Sequence, residues 1–150
     1  MMEIHFEDLK VGARFGSKPY EVTEDAIIRF AQEFDVQAFH LDAAAAEKSV
    51  FGGLAASGWH TAAIAMRLFT TTMRFDGGAI GLAVDELRWP VAVRPNDSLQ
   101  LETEILEMRP SRSRPRYGIV QIRNEMRNQK GETVLSYIAN ALVQRRPAVG

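Results

Sequence analysis

The spacing of apolar residues changes twice along the chain, and each change marks a different kind of element. In TEDAIIRFAQEF, Ile27, Phe30, Ala31 and Phe34 recur three and four residues apart, as on one face of a helix. Thr23 stands where a side chain can cap the first turn, and Glu24 and Asp25 favour its positive dipole end. The helix is expected to stop near Asp35. DAAAAEKS reads as a short helix capped by Asp42, and the glycine-rich FGGLAASG that follows is a link whose backbone can turn sharply. From Trp59 to Phe69, WHTAAIAMRLF has only His60, Thr61 and Arg67 as clearly polar residues. The helix it predicts is apolar around most of its circumference and is expected to be buried. It falls short of the roughly 18 apolar residues that suggest a membrane span.

Beyond residue 80 the period shortens to two. GLAVDELRWPVAV, SLQLETEILEM, RYGIVQIRNEM and TVLSYIANALVQ predict four strands, separated by RPND, RPSRSRP and NQKG. In the last strand Leu135, Tyr137, Ala139, Ala141 and Val143 fall on one face and Ser136, Asn140 and Gln144 on the other. This is the signature of a sheet covered on one side. The long helix is the element available to cover it. A helix laid across a curved antiparallel sheet is the α+β arrangement of the hotdog fold, and residues 1–150 are expected to form one such domain.

Charge and composition then remove several functions. Eighteen Lys and Arg against nineteen Asp and Glu leave a net charge of -1, so no global field draws in nucleic acid or an anionic membrane. With no cysteine, disulfides, thiolate metal sites and a thiol nucleophile are excluded. MMEIHFEDLKVG carries charges where a signal peptide needs an apolar run, and a cytoplasmic protein is expected. Asp35, His40 and Asp42 fix no fourth ligand, so no metal site is expected, and LAASGW lacks the nucleophile elbow of serine hydrolases.

The candidate chemistry lies in FDVQAFHLD, where Asp35 and His40 are five residues apart, and in FGGLAASGWHTAA, which leads to Gly58. Taken singly, Asp35 reads as a helix-terminating residue, His40 as a structural histidine, Gly58 as a packing glycine and Ser57 as a helix cap. His60, on the central helix, reads as structural, and His5 carries no argument.

Together these segments resemble the MaoC-like dehydratase family, which includes the R-specific enoyl-CoA hydratases. The resemblance runs from Thr23 through the final strand. Asp35, His40 and Gly58 keep the family's acid, base and glycine, whereas Phe34 replaces a glycine, Gln37 an asparagine, Ala38 a proline and Ser57 a histidine. The resemblance implies that Asp35 and His40 supply the acid and base for hydrating a 2-enoyl thioester, giving an R-3-hydroxyacyl product. Gly58 N–H, at the positive end of the buried helix, is then the expected oxyanion donor. Phe34, Phe39, Ser57 and Trp59 are the expected substrate-contacting residues, with the aromatic groups keeping the surroundings apolar.

No cofactor is implied beyond coenzyme A carried by the substrate. Its phosphates favour arginine, for which Arg88, Arg94, Arg112, Arg114 and Arg116 are candidates. Exposed sheet edges, and the pairing of members of this fold, imply a homodimer or higher even assembly. A hotdog-type acyl thioesterase and a non-catalytic acyl-thioester binding protein remain as alternative functions.

Overall fold

The computed structural model describes residues 2–148. After a 3-10 turn at Phe6–Asp8, the chain forms β1 (Arg14–Gly16) and β2 (Tyr20–Glu21) on either side of the GSKP turn. Four helices follow: α1 (Glu24–Phe34), α2 (Ala38–Leu41), α3 (Ala43–Glu47) and α4 (Gly58–Thr72). Then come β3 (Ala79–Arg88), β4 (Ser98–Pro110), β5 (Tyr117–Arg127) and β6 (Thr133–Gln144). The sheet runs in the order β1-β4-β5-β6-β3, with β2 also on β4, and every pair is antiparallel.

Alternation fixes which face of the sheet holds the core. On β5, Val120, Ile122, Asn124 and Met126 are buried, while Gln121, Arg123 and Glu125 point the other way. The one polar side chain in that inward row, Asn124, accepts a hydrogen bond from Thr103 Oγ1 on β4 at 2.6 Å. It therefore avoids the cost of an unsatisfied buried group. Ile27, Leu99, Ile105, Ile122, Met126 and Leu135 are fully buried, each contributing about 1.5–3 kcal/mol relative to exposure. The register shifts by one residue on β4 between Ile105 and Glu107, and on β6 at Val134 opposite Met126 and Arg127, irregularities of the kind that bend a sheet.

α4 meets the sheet through one face only. His60, Thr61, Ile64, Ala65, Leu68 and Phe69 are buried, whereas Trp59, Ala63, Met66 and Arg67 are exposed. The expectation of a helix buried around most of its circumference is corrected here, because the sheet of a single chain covers one side of it.

β3 differs from the expected strand in a related way. It ends at Arg88 instead of running to Val93, because Pro90 has no N–H to donate to a ladder. Its outer edge is open, and Ile80, Leu82 and Val84 are each more than half exposed.

Candidate active site

Asp35 enters the site as the residue that ends α1. Its N–H closes the last turn on Ala31 O at 3.0 Å, and its backbone then leaves helical angles, at φ -151° and ψ 75°. After Asp35 the chain forms a one-turn helix, α2, whose first turn includes His40 N–H donating to Gln37 O at 3.0 Å. That turn swings the His40 ring inward, where it is 4% exposed. Phe39 packs edge-on against the ring at 4.6 Å and against Phe51 at 5.0 Å.

Three side chains converge on this point. Ser57 Oγ donates to Asp35 Oδ2 at 2.6 Å, Gln37 Nε2 donates to Asp35 Oδ1 at 2.6 Å, and His40 Nε2 lies 3.3 Å from Asp35 Oδ2. The Ser57 hydroxyl is the largest influence holding the Asp35 carboxyl below its usual range. Gln37 adds to it, as does His40 when its ring is protonated, and partial burial opposes them. Asp35 is therefore a carboxylate at neutral pH.

The tautomer of His40 follows from its other nitrogen. His40 Nδ1 is 2.6 Å from Ala55 O. A carbonyl only accepts, so Nδ1 carries a proton, and in the neutral ring Nε2 then presents its lone pair toward Asp35. Two acceptors 3.3 Å apart are then left facing one another. A molecule with two O–H donors, such as water, satisfies both.

The N-terminus of α4 lies beside this pair. Ser57, fully buried, also accepts from Trp59 N–H at 3.3 Å, so the capping role expected for it and its bond to Asp35 coexist. Gly58 is the first helical residue, and its N–H has no acceptor within the helix. The Trp89 indole lies over Gly58: its Nε1–H donates to Gly58 O at 2.8 Å, and a Cβ on Gly58 would stand 2.9 Å from Trp89 Cε2. Only glycine fits beneath the indole. A cavity of about 280 Å³ is lined by the polar or helix-terminal His40, Gly58 and Thr61 together with the apolar Phe51, Ala56, Trp89, Val91, Ala92 and Val93.

Asp35, His40, Ser57 and Gly58 are thus brought together as the sequence implied, with Phe39 behind the imidazole. Phe34 is not part of the group. It is 67% exposed, packs on Phe30 at 5.2 Å and does not line the cavity. Phe34 shares the face of Ile27 and Ala31 but is the last residue of α1, one turn beyond the point where that stripe is buried. Trp59 is 61% exposed and touches the site indirectly, edge-on to Trp89 at 5.4 Å.

The arginines divide by position. Arg112, Arg114 and Arg116 lie in the β4–β5 turn, at the opposite end of the sheet from the segment bearing Trp89 and Val93. Thirteen-residue β4 separates the two ends, roughly 40 Å at strand rise. Arg94 is near the site, but its guanidinium is occupied by backbone carbonyls.

Sequence reading missed the roles of Gln37, Trp89 and the Ala55 carbonyl. Gln37 was visible only as a departure from the family pattern. Trp89 meets Gly58 across 31 residues of chain, a contact that no local pattern announces.

Comparison with known proteins identifies the family. The profile of the MaoC like domain matches residues 8–126. The chain belongs to the MaoC-like domain family. The MaoC-like dehydratase from Rhodospirillum rubrum is 50% identical and superposes with a TM-score of 0.91, over 97% of this chain and 99% of that one. The R-hydratase PhaJ1 from Pseudomonas aeruginosa is 25% identical, with a TM-score of 0.80 over 99% and 96% of the respective chains. A Bacillus subtilis relative, the uncharacterized protein YdeM, is 31% identical over 140 residues, covering 93% of this chain and 98% of its own. The α+β helix-on-sheet architecture is therefore the hotdog fold. MaoC-like membership supports hydratase or dehydratase chemistry in general terms.

Proposed function

We propose that the protein adds water to 2-enoyl-CoA thioesters, and in reverse dehydrates R-3-hydroxyacyl-CoA thioesters, with Asp35 and His40 as its catalytic pair. The observation that carries this reading is the 3.3 Å approach of His40 Nε2 to Asp35 Oδ2, with Nδ1 hydrogen-bonded to Ala55 O and the carboxylate held by Ser57 and Gln37.

The reaction needs three things: an activated water, a proton for the α-carbon and stabilisation of charge on the thioester oxygen. Asp35 and His40 hold one water between them. As its oxygen bonds to the β-carbon, one of its protons passes to His40 Nε2, and the electron pair of the double bond moves toward the carbonyl. Gly58 N–H, at the positive end of α4, receives that developing charge. His40 then returns the proton to the α-carbon, which regenerates the neutral ring and completes the addition. The carboxylate of Asp35 orients the water and offsets the transient imidazolium charge.

Coenzyme A arrives as part of the substrate, and no other cofactor takes part. The apolar walls at Phe51, Val91 and Val93 exclude bulk water from around the reacting carbons.

A second copy of the chain completes the molecule. The open edge of β3, its exposed Ile80, Leu82 and Val84, and the neighbouring uncovered Trp59 and Met66 of α4 support a homodimer formed along that edge.

The test is to follow the conjugated absorbance of a panel of 2-enoyl-CoA substrates alongside thiol release. The proposal expects absorbance to fall without free thiol and the product to be the R-3-hydroxyacyl thioester. Thiol release without hydration would make the protein a thioesterase. Saturable binding of every panel member, with neither signal, would make it a binding protein.

A further inference from the structure

The glycine-rich link between Ser49 and Ser57 contains no regular secondary structure, so its carbonyls have no ladder to receive them. Arg94 takes that role. Nη1 donates to Gly53 O at 2.9 Å and to Leu54 O at 3.4 Å, and Nη2 donates to Phe51 O. The arginine is itself anchored, since its N–H donates to Asp97 Oδ2 at 2.8 Å, and Asp97 Oδ1 accepts from Gln129 Nε2 at 2.9 Å. Asp97 is 6% exposed, so this anchor lies inside the fold.

The link that Arg94 grips leads directly into the site. Ala55, one residue past the last gripped carbonyl, supplies the oxygen 2.6 Å from His40 Nδ1. Ala56 N–H donates to Val93 O at 2.9 Å, which ties the same short stretch to the residue before Arg94. A planar guanidinium fork directs several donors at once in fixed directions, whereas a lysine ammonium is a point charge on a flexible stem. Three carbonyls meeting one guanidinium are therefore fixed relative to each other as well as attracted.

We propose that Arg94 is a positioning residue for the catalytic histidine. By fixing the carbonyls of Phe51, Gly53 and Leu54 it sets the Ala55 carbonyl, which keeps the proton on His40 Nδ1 and leaves Nε2 free to take one from water. This rests on the assignment of Asp35 and His40 as the catalytic pair. Without the guanidinium the Ala55 oxygen moves, and the second tautomer becomes accessible. In that tautomer Nε2–H donates straight to Asp35, and the place of the water between the two groups is lost. Of the apolar cavity walls, Trp89, Val91 and Ala92 lie outside the gripped link and keep their place, whereas Phe51 belongs to it.

Two variants and two readouts test this. With three histidines in the chain, nitrogen-15 spectra of the imidazoles can be assigned. Wild type should show His40 as a single Nδ1–H tautomer, Arg94→Ala should show a mixture, and Arg94→Lys should fall between them. In hydration assays, Arg94→Ala should lower kcat by roughly 10- to 100-fold, as expected when a catalytic group is misplaced by about an ångström. KM should change less than kcat, because Trp89, Val91 and Ala92 of the cavity wall lie outside the gripped link. Arg94→Lys keeps the charge and the stem, and carries the test if Arg94→Ala does not fold.

Retention of the single tautomer in both variants would overturn the proposal whatever the activity, as would a wild-type kcat in Arg94→Ala. A shifted tautomer in a protein whose wild type hydrates no substrate would leave the positioning of His40 by Arg94 standing and remove the hydratase reading instead.

Discussion

The Ser57 hydroxyl donates to Asp35 Oδ2 at 2.6 Å while its oxygen also accepts from Trp59 N–H at 3.3 Å. One buried side chain therefore starts the central helix and favours the ionised form of the Asp35 carboxyl. Ser57→Ala removes a hydrogen bond to a charged group, of the order of 1.5–3 kcal/mol, and a helix cap of about 1 kcal/mol. The pH effect has a definite sign. The folded Asp35 pKa is depressed, chiefly by Ser57, so its stabilising contribution is present above the unfolded carboxylate value and is lost as pH falls through the folded one. In Ser57→Ala the folded value rises, so the acid limb of a kcat/KM profile should move to higher pH than in wild type. An unmoved limb would mean that Ser57 does not tune Asp35.

Gly58 and Trp89 form a matched pair. Gly58→Ala places a methyl group 2.9 Å from the indole, an overpacking that costs about 1–3 kcal/mol. Trp89→Leu in the same chain removes the obstruction. Denaturant midpoints for the two single variants and the double should show strong non-additivity, with the double variant more stable than the sum of the singles. Simple additivity would place the cost of Gly58→Ala elsewhere.

Much of the fold was legible because period and punctuation agreed. β6 was expected at 133–144 and is found there, since its alternating face is bounded by NQKG on one side and by RRP on the other. β1 and β2, three and two residues long, are too short to show a period, and both exist only because β4 offers them an edge. α2 is one turn of AFHL with no repeat to detect.

In the site, the family resemblance carried by FDVQAFHLD and FGGLAASGWHTAA pointed to Asp35, His40 and Gly58. The contacts that tune them, from Ser57 to Asp35 and from Trp89 to Gly58, close loops of 22 and 31 residues that spacing does not reveal.

His60 stacks on Phe30 at 4.8 Å with its rings nearly parallel, and burial lowers its pKa. The unfolded chain therefore takes up a proton more readily than the folded one. Stability should be complete above the unfolded histidine value of about 6.5 and should fall as pH drops below it, by up to about 1.4 kcal/mol per pH unit. Urea midpoints at pH 7.5 and 5.5 should differ more for wild type than for His60→Leu. Equal differences would assign the pH dependence to other groups.

The open β3 edge gives a prediction about assembly. Leu82→Lys or Val84→Lys puts a charge on a strand edge whose apolar side chains are uncovered in the single chain. Sedimentation should show a dimer for wild type and a monomer for either variant. A monomeric wild type at micromolar concentration would contradict assembly through this edge.

The central claim is that Asp35 and His40 act together on one water. It is tested most directly by single-turnover hydration of a 2-enoyl-CoA by wild type, Asp35→Asn and His40→Ala, with binding of the saturated acyl-CoA measured in parallel. The account predicts that each substitution slows hydration by about 100- to 10,000-fold, the usual contribution of a positioned acid or base, while binding changes little. Hydration at the wild-type rate in either variant would contradict it.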